Sequence, residues 1–193
     1  MAKRSAGLLL HREVGHEVEV LLVHPGGPYW AKKDDGAWSV PKGEVEPGDD
    51  PLETAIREFR EELGADPPAG SPAGFLGELR QPSGKTVGVW TVEGDLDASD
   101  VRSNTFTMEW PPRSGRTAEF PEVDRAGWFS LEAARQKLVR GQVPFIDRLS
   151  SILLAADPET KLGSVRDPPG DPLMADGHGR GPGPRGARDP RSR

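Results

Sequence analysis

Apolar and polar positions along this chain alternate, cluster and then recur at helical spacing, and the pattern divides it into elements. "KRSAGLLLH" (3–11) and "EVEVLLVH" (17–24) predict two strands, the second alternating before it turns fully apolar. "PGGPYWAKKDDGAW" (25–38), rich in turn residues, charges and aromatics, predicts a loop. "WSVP" predicts a short strand, and "KGEVEPGDD" after it a glycine-rich turn. Leu52, Ala55, Ile56, Phe59 and Leu63 then fall on one helical face. Asp50 as N-cap, Pro51 at the first helical position and Glu53 three residues after the cap mark the start, and Gly64 marks the stop.

Downstream, "GFLGELRQ", "KTVGVWTVE" and "VRSNTFTMEW" alternate like strands, and "AGWFS" predicts a further short one. Ser130 caps a predicted helix "LEAARQKLV", and "PFIDRLSSILLAA" predicts a C-terminal helix. Strands on both sides of an acidic helix, with more helix at the end, predict an α/β fold with a mixed sheet between helices.

The helix over 51–63 carries its charges in an unfavourable place. In "REFREELG" (57–64), Glu58, Glu61 and Glu62 crowd the last turns, where the macrodipole is already negative. Glu58 faces Glu62 at a spacing of four and Glu61 at three, so like charges oppose one another. A solvated face is one reading, with Glu53, Arg57 and Glu61 as a ladder of ion pairs worth about 0.3–0.5 kcal/mol each. It leaves Glu58 and Glu62 facing each other. A hard divalent cation resolves the conflict, because three carboxylates a turn apart offer oxygen ligands suited to Mg²⁺ or Mn²⁺ rather than zinc. Gly43 and Gly48 in the preceding turn let a backbone carbonyl approach the same ion.

Gly43, Asp49, Arg57, Glu58, Phe59, Glu61, Glu62, Gly64 and Ala65 fall in the register of the Nudix box, and across these 23 residues the chain resembles the Nudix hydrolase family. Asp49 stands where that pattern has Glu, and Ala65 is smaller than its usual final apolar residue. The resemblance implies a Nudix fold, an α/β/α sandwich, and Mg²⁺-dependent hydrolysis of a nucleoside diphosphate linked to a further moiety. It implies Glu58, Glu62 and Glu61 as metal ligands, Glu61 alternatively orienting or deprotonating water, with the Lys42 carbonyl as a further ligand. Arg57 would orient a glutamate. The Pro41-Lys42-Gly43 lead-in resembles members that cleave dinucleoside or diphosphoinositol polyphosphates, with Lys42 reaching a phosphate. Nucleoside triphosphates and nucleotide sugars stay open as substrates.

A general base outside the box is expected from "AEFPEVDRAGW", which offers Glu119, Glu122 and Asp124; Glu119 or Glu122 is favoured, and Glu119 is counted among the catalytic candidates. Tyr29, Trp30, Lys32, Lys33 and Trp38 precede the box, and Trp110, Arg113 and Arg116 lie on a Pro-led loop. Of these, Trp38, Arg113 and Arg116 are the substrate-binding candidates, Arg suiting phosphate and Trp suiting a base. Core packing is the competing role for each Trp. His11, His16 and His24 have no ligand-like spacing and receive no role.

Composition adds a boundary. The 37 positions from Asp157 hold seven Pro, seven Gly and no aromatic, so residues 1–156 are expected to form the domain and 157–193 a disordered tail. The last 14 residues carry five Arg against one Asp, which fits either a weak tether to nucleic acid or an acidic partner, or an extension of biased composition. A net charge of −6 argues against general nucleic-acid or anionic-membrane binding. Cysteine is absent, which excludes thiolate chemistry. With no secretory signal or membrane span evident, a cytoplasmic location is expected. The partner expected is a nucleotide-type small molecule, and no oligomeric state follows. A Nudix-fold nucleotide-binding regulator without hydrolysis is the alternative reading, and an acidic interaction protein a third.

Overall fold

In the computed structural model, residues 3–69, 74–81 and 84–156 are described; the expected disordered tail at 157–193 lies outside them. The long apolar runs become the centre of a mixed sheet. β1 (Arg4–Val14), β2 (Glu17–Pro25), β4 (Gly74–Arg80), β5 (Thr86–Glu93) and β8 (Val123–Ser130) lie in the order β4-β5-β1-β2-β8, with β3 (Lys42–Glu44) also paired to β1. Only β1 and β5 run parallel; the other pairings are antiparallel.

Period two explains why β1 and β2 are apolar on both faces. Leu8 and Leu10 of β1, with Leu21 and Val23 of β2, pack on α1 (Pro51–Leu63) through Ala55, Phe59 and Leu63. Leu9, Val20 and Leu22 point the other way, onto α2 (Leu131–Lys137) and α3 (Val143–Ala156) through Ala134, Phe145, Ile146 and Leu149. The result is the expected α/β/α sandwich, and a strand covered on both faces reads as a continuous apolar run.

α1 starts and stops where its sequence signals place it. The Asp50 carboxylate accepts from the Leu52 and Glu53 amides at 2.8 and 3.1 Å. Gly64, at φ 72°, closes the helix in the left-handed region that glycine enters without strain. Phe59 and Leu63 are fully buried, each contributing about 1.5–3 kcal/mol. That exceeds the few tenths of a kcal/mol lost to each like-charge pair on the opposite face.

Three expectations are corrected. "WSVP" is not a strand: Trp38 and Ser39 make only isolated bridges to Leu138 and Val23, and Pro41 has no N–H to extend a ladder. The strand here is β3, inside the segment read as a turn. The acidic segment "AEFPEVDRAGW", for which no strand is expected before Ala126, contains most of β7 (Thr117–Pro121) and the start of β8. β7 pairs with β6 (Thr105–Glu109) as a two-stranded hairpin beside the main sheet. No residue of either strand is fully buried, so there is no apolar stripe for a sequence pattern to reveal.

Candidate active site

The last turns of α1, the β3 strand and the segment before β8 meet at one place. β3 passes so close to α1 that a Cβ on Gly43 would lie 1.8 Å from the Glu58 carboxyl carbon. Glycine at 43 therefore leaves free the space that the Glu58 carboxylate occupies. The Lys42 amide donates to Glu62 Oε2 at 3.2 Å, tying the strand to the helix a second time.

Glu62 is the most perturbed carboxylate. Burial raises it to about 7 against the opposing pull of Lys42 and its amide, with Glu58 and Glu122 pushing it further up. Glu122 is raised too, by burial first and then by Glu58 and Glu61. Four carboxylates thus feel one another: three from one helix, and one that follows β7.

Glu122 reaches this place through Asn104. The Asn104 amide donates to the Glu61 carbonyl at 3.1 Å, and its carbonyl accepts from the Glu122 amide at 2.8 Å. The Gly26 amide holds the Glu122 carbonyl at 2.9 Å. Glu119, by contrast, sits on exposed β7 and accepts from the Thr105 hydroxyl across the hairpin. The acidic segment supplies its carboxylate through Glu122, where the hairpin meets α1.

Arg57 spans the rim. Its guanidinium lies 3.2 Å from Glu58, 3.3 Å from Asp49 and 3.8 Å from Glu61, and the Glu58 hydrogen bond is the chief reason it holds its proton more firmly than usual. The Glu61 rung of the expected ladder is thus present, while Arg57 also pairs with Glu58 and Asp49. Asp49, shorter than the Glu of the family pattern, still reaches Arg57.

Two further cations come from strands that sequence spacing could not connect. Lys85, just before β5, has its ammonium disfavoured by burial and by Lys42 and Lys3, while Glu44 and Glu58 favour it. Lys85 therefore feels Lys42 and Lys3 as well as Glu58, and Lys3 is paired with Glu44 at 3.1 Å. Strand register sets these proximities: the Thr86 amide donates to the Lys3 carbonyl at 3.0 Å, and Lys42 pairs with Gly7 on the other edge of β1.

Trp38 does not offer its face to a ligand. It is 6% exposed, packs edge-on against His24 and Phe129, and donates its indole N–H to Asp34 at 2.8 Å. Core packing takes it because α2 closes over this part of the loop. The exposed aromatic of this loop is Tyr29, whose ring meets Trp110 edge-on at 5.5 Å. Arg113 and Arg116 lie exposed beyond Trp110, in the turn joining β6 to β7. Among the described residues neither makes an ion pair.

The donor set is oxygen-only, the kind that holds a hard divalent cation. Among the described residues, no three His, Cys, Asp or Glu side chains already stand in ligating geometry. Glu58 is turned to Arg57 and Glu62 to the Lys42 amide, so ligation requires these side chains to rotate inward. A buried Glu62 beside two like charges, only partly offset by Lys42 and its amide, is the feature such an ion would relieve.

A mixed sheet between helix layers, with a glutamate-lined helix end behind a close-packed glycine strand, defines the class. The family profile described as NUDIX domain matches residues 1–149, and the chain belongs to the Nudix family. Two curated relatives are asymmetrical bis(5'-nucleosyl)-tetraphosphatases. The one from Caenorhabditis elegans is 37% identical over 62 residues, covering 32% of this chain and 41% of the relative. The one from Mus musculus is 39% identical over 72 residues, covering 33% and 44%. The chain thus matches less than half the length of each. A C. elegans Ap4A hydrolase binary complex shares the fold, with a TM-score of 0.55, 22% identity, and coverage of 78% of this chain and 98% of that one. The NUDIX domain of Shewanella oneidensis NrtR, complexed with ADP ribose, shares it at a TM-score of 0.55, 15% identity, and coverage of 79% and 89%.

Proposed function

We propose that this protein is a Mg²⁺-dependent pyrophosphohydrolase, with Mn²⁺ able to substitute. Its substrate would be a nucleoside diphosphate linked to a further phosphorylated moiety, dinucleoside polyphosphates being the favoured class. The observation that carries this reading is the convergence of Glu58, Glu61, Glu62 and Glu122 behind Gly43. The names of the two curated relatives support the substrate class, as does the cluster of Lys3, Lys42 and Lys85, which suits several consecutive phosphates.

Glu58, Glu61, Glu62 and the Lys42 carbonyl would hold the ion. When bound, Mg²⁺ polarises phosphoryl oxygens and lowers the pKa of a ligated water. The protein's own groups do the rest. Glu122, made more basic by burial and by Glu58 and Glu61, accepts the proton of the attacking water. The water oxygen bonds to phosphorus as the anhydride P–O bond breaks, and Lys42 and Lys85 neutralise charge on the departing phosphate. Arg57, 3.2 Å from Glu58, would hold that carboxylate at the rim of the site, one side-chain rotation from the ion. Tyr29 and Trp110 offer an aromatic edge to a base, and Arg113 and Arg116 extend toward distal phosphates.

The test is to incubate the protein with Mg²⁺ and a panel of dinucleoside polyphosphates, nucleoside triphosphates, nucleotide sugars and diphosphoinositols, then identify the products. Cleavage that stops on adding EDTA supports the reading. Nucleotide binding with no turnover of any panel member overturns it in favour of a binding regulator.

A further inference from the structure

His24 is fully buried at the end of β2, and neither metal ligation nor hydrolysis uses it. Its Nδ1 lies 2.7 Å from Asp124 Oδ1 on β8, and its Nε2 lies 2.9 Å from the Lys33 carbonyl oxygen. A carbonyl and a carboxylate oxygen both only accept, so the ring stands between two acceptors. Trp38, 5.2 Å away, closes off solvent, and Arg125 lies 3.4 Å from Asp124 on the outer side.

The loop that His24 grips has two halves held in different ways. Residues 34–38 are fixed to the end of α2: the Gly36 and Trp38 amides donate to the Gln136 and Lys137 carbonyls, and Lys137 pairs with Asp34 and Asp35. Residues 27–33 form a tight turn closed on itself, with Trp30 and Ala31 donating to Gly27, and Lys33 to Trp30. Among the described residues, the hydrogen bond tying this turn to the body of the protein is the one His24 donates to Lys33. The turn carries Tyr29, Lys32 and Lys33. Its other neighbours are the apolar core, against which Trp30 packs, and the β6–β7 hairpin, with Tyr29 against Trp110 and Gly27 against Phe106. On the opposite side, Asp124 is two residues from Glu122.

We propose that His24 is a positioning residue for substrate binding. Clamped between Asp124 and the Lys33 carbonyl, it fixes the 27–33 turn, and Tyr29 with it, beside the segment that carries Glu122. The proposal rests on the reading that this turn meets the nucleotide part of the substrate. It places His24 in control of binding, with the hydrolytic step left to the glutamates.

The experiment compares wild type, His24→Gln, Asp124→Ala and Asp124→Asn by hydrogen–deuterium exchange and by steady-state kinetics on a dinucleoside tetraphosphate with Mg²⁺. In His24→Gln, exchange over 27–33 is expected to quicken about tenfold, the scale of one buried hydrogen bond, while 34–38 and α1 keep their protection. KM rises about tenfold and kcat stays within about twofold. Asp124→Ala follows His24→Gln, whereas Asp124→Asn, which keeps an oxygen acceptor for Nδ1, returns toward wild type. If His24→Gln does not fold, the two Asp124 variants carry the same comparison, because that side chain is partly exposed. Unchanged exchange over 27–33, protection lost evenly across the sheet, or a fall in kcat at constant KM overturns the proposal. A wild-type protein that cleaves nothing sinks the hydrolase reading alone, and the exchange data then decide the role of His24.

Discussion

Gly43 and Glu58 compete for the same space: a Cβ on the glycine would fall 1.8 Å from the glutamate's carboxyl carbon and 1.9 Å from Oε2. What such a Cβ meets is the far end of a flexible side chain, so Glu58 can swing away at little cost to the fold. Gly43→Ala is therefore expected to change stability by less than about 1 kcal/mol. Turnover should fall at least about a hundredfold, because the added methyl takes the space in which Glu58 would turn to ligate. Thermal melting and kcat/KM measured together check this; a variant that keeps both would show that Glu58 is not held for a ligand.

Glu62 predicts how stability depends on pH when divalent cations are removed. Its folded-state pKa, raised chiefly by burial, is about 7 against the usual 4.5. The folded protein therefore holds this proton more tightly than the unfolded chain. The stabilisation is fully present below pH 4.5 and is lost as pH rises through 7, amounting to about 3 kcal/mol. In EDTA, Tm should decline across that window, and Glu62→Gln should flatten the decline while abolishing turnover. Millimolar Mg²⁺ should raise Tm most at alkaline pH, where the carboxylate is ionised. A wild-type profile in EDTA as flat as that of the variant would remove the basis for an electrostatically strained site.

Glu122 and Glu119 are separated by three positions and by their expected roles. Glu122→Gln should lower kcat by about a hundredfold to ten-thousandfold, the range for loss of a positioned base, and alter the acid limb of the pH–rate profile. Glu119→Gln should leave kcat unchanged, because its carboxylate meets Thr105 on an exposed hairpin. The reverse result would return the base to the hairpin.

Trp38 and Tyr29 should divide stability from binding. Trp38→Phe loses the N–H bond to Asp34 and some core contact, and is expected to destabilise by about 1–3 kcal/mol with KM unchanged. Tyr29→Ala removes a half-exposed ring, so Tm should hardly move while KM rises. Denaturant melts beside substrate titrations distinguish the two; a higher KM for Trp38→Phe at unaltered stability would contradict the core assignment.

Much of the architecture is written in local pattern. Asp50, Pro51 and Gly64 set the limits of α1, and the run Leu8-Leu9-Leu10 marks a strand buried on both faces. Both signals depend on neighbours within a few residues, where periodicity and capping act. The glutamates at 58, 61 and 62, with Gly43 in register, announced a candidate site for the same reason: three of them share one helix, and Gly43 lies on the strand just before it.

The sequence by itself determined the sandwich, the acidic helix end and the glycine before it. Tertiary structure alone decided the rest. Glu122 joins the glutamates because Asn104 bridges the Glu61 carbonyl and the Glu122 amide. Lys3 and Lys85 join Lys42 because three strands share one register, and Trp38 is buried because α2 closes over its loop. The β6–β7 hairpin has no buried face to print a stripe in its sequence, and His24 finds its two acceptors on segments nine and one hundred residues away. Each of these contacts joins chain segments whose separation carries no periodic signal, so chain pairing, not residue spacing, creates them.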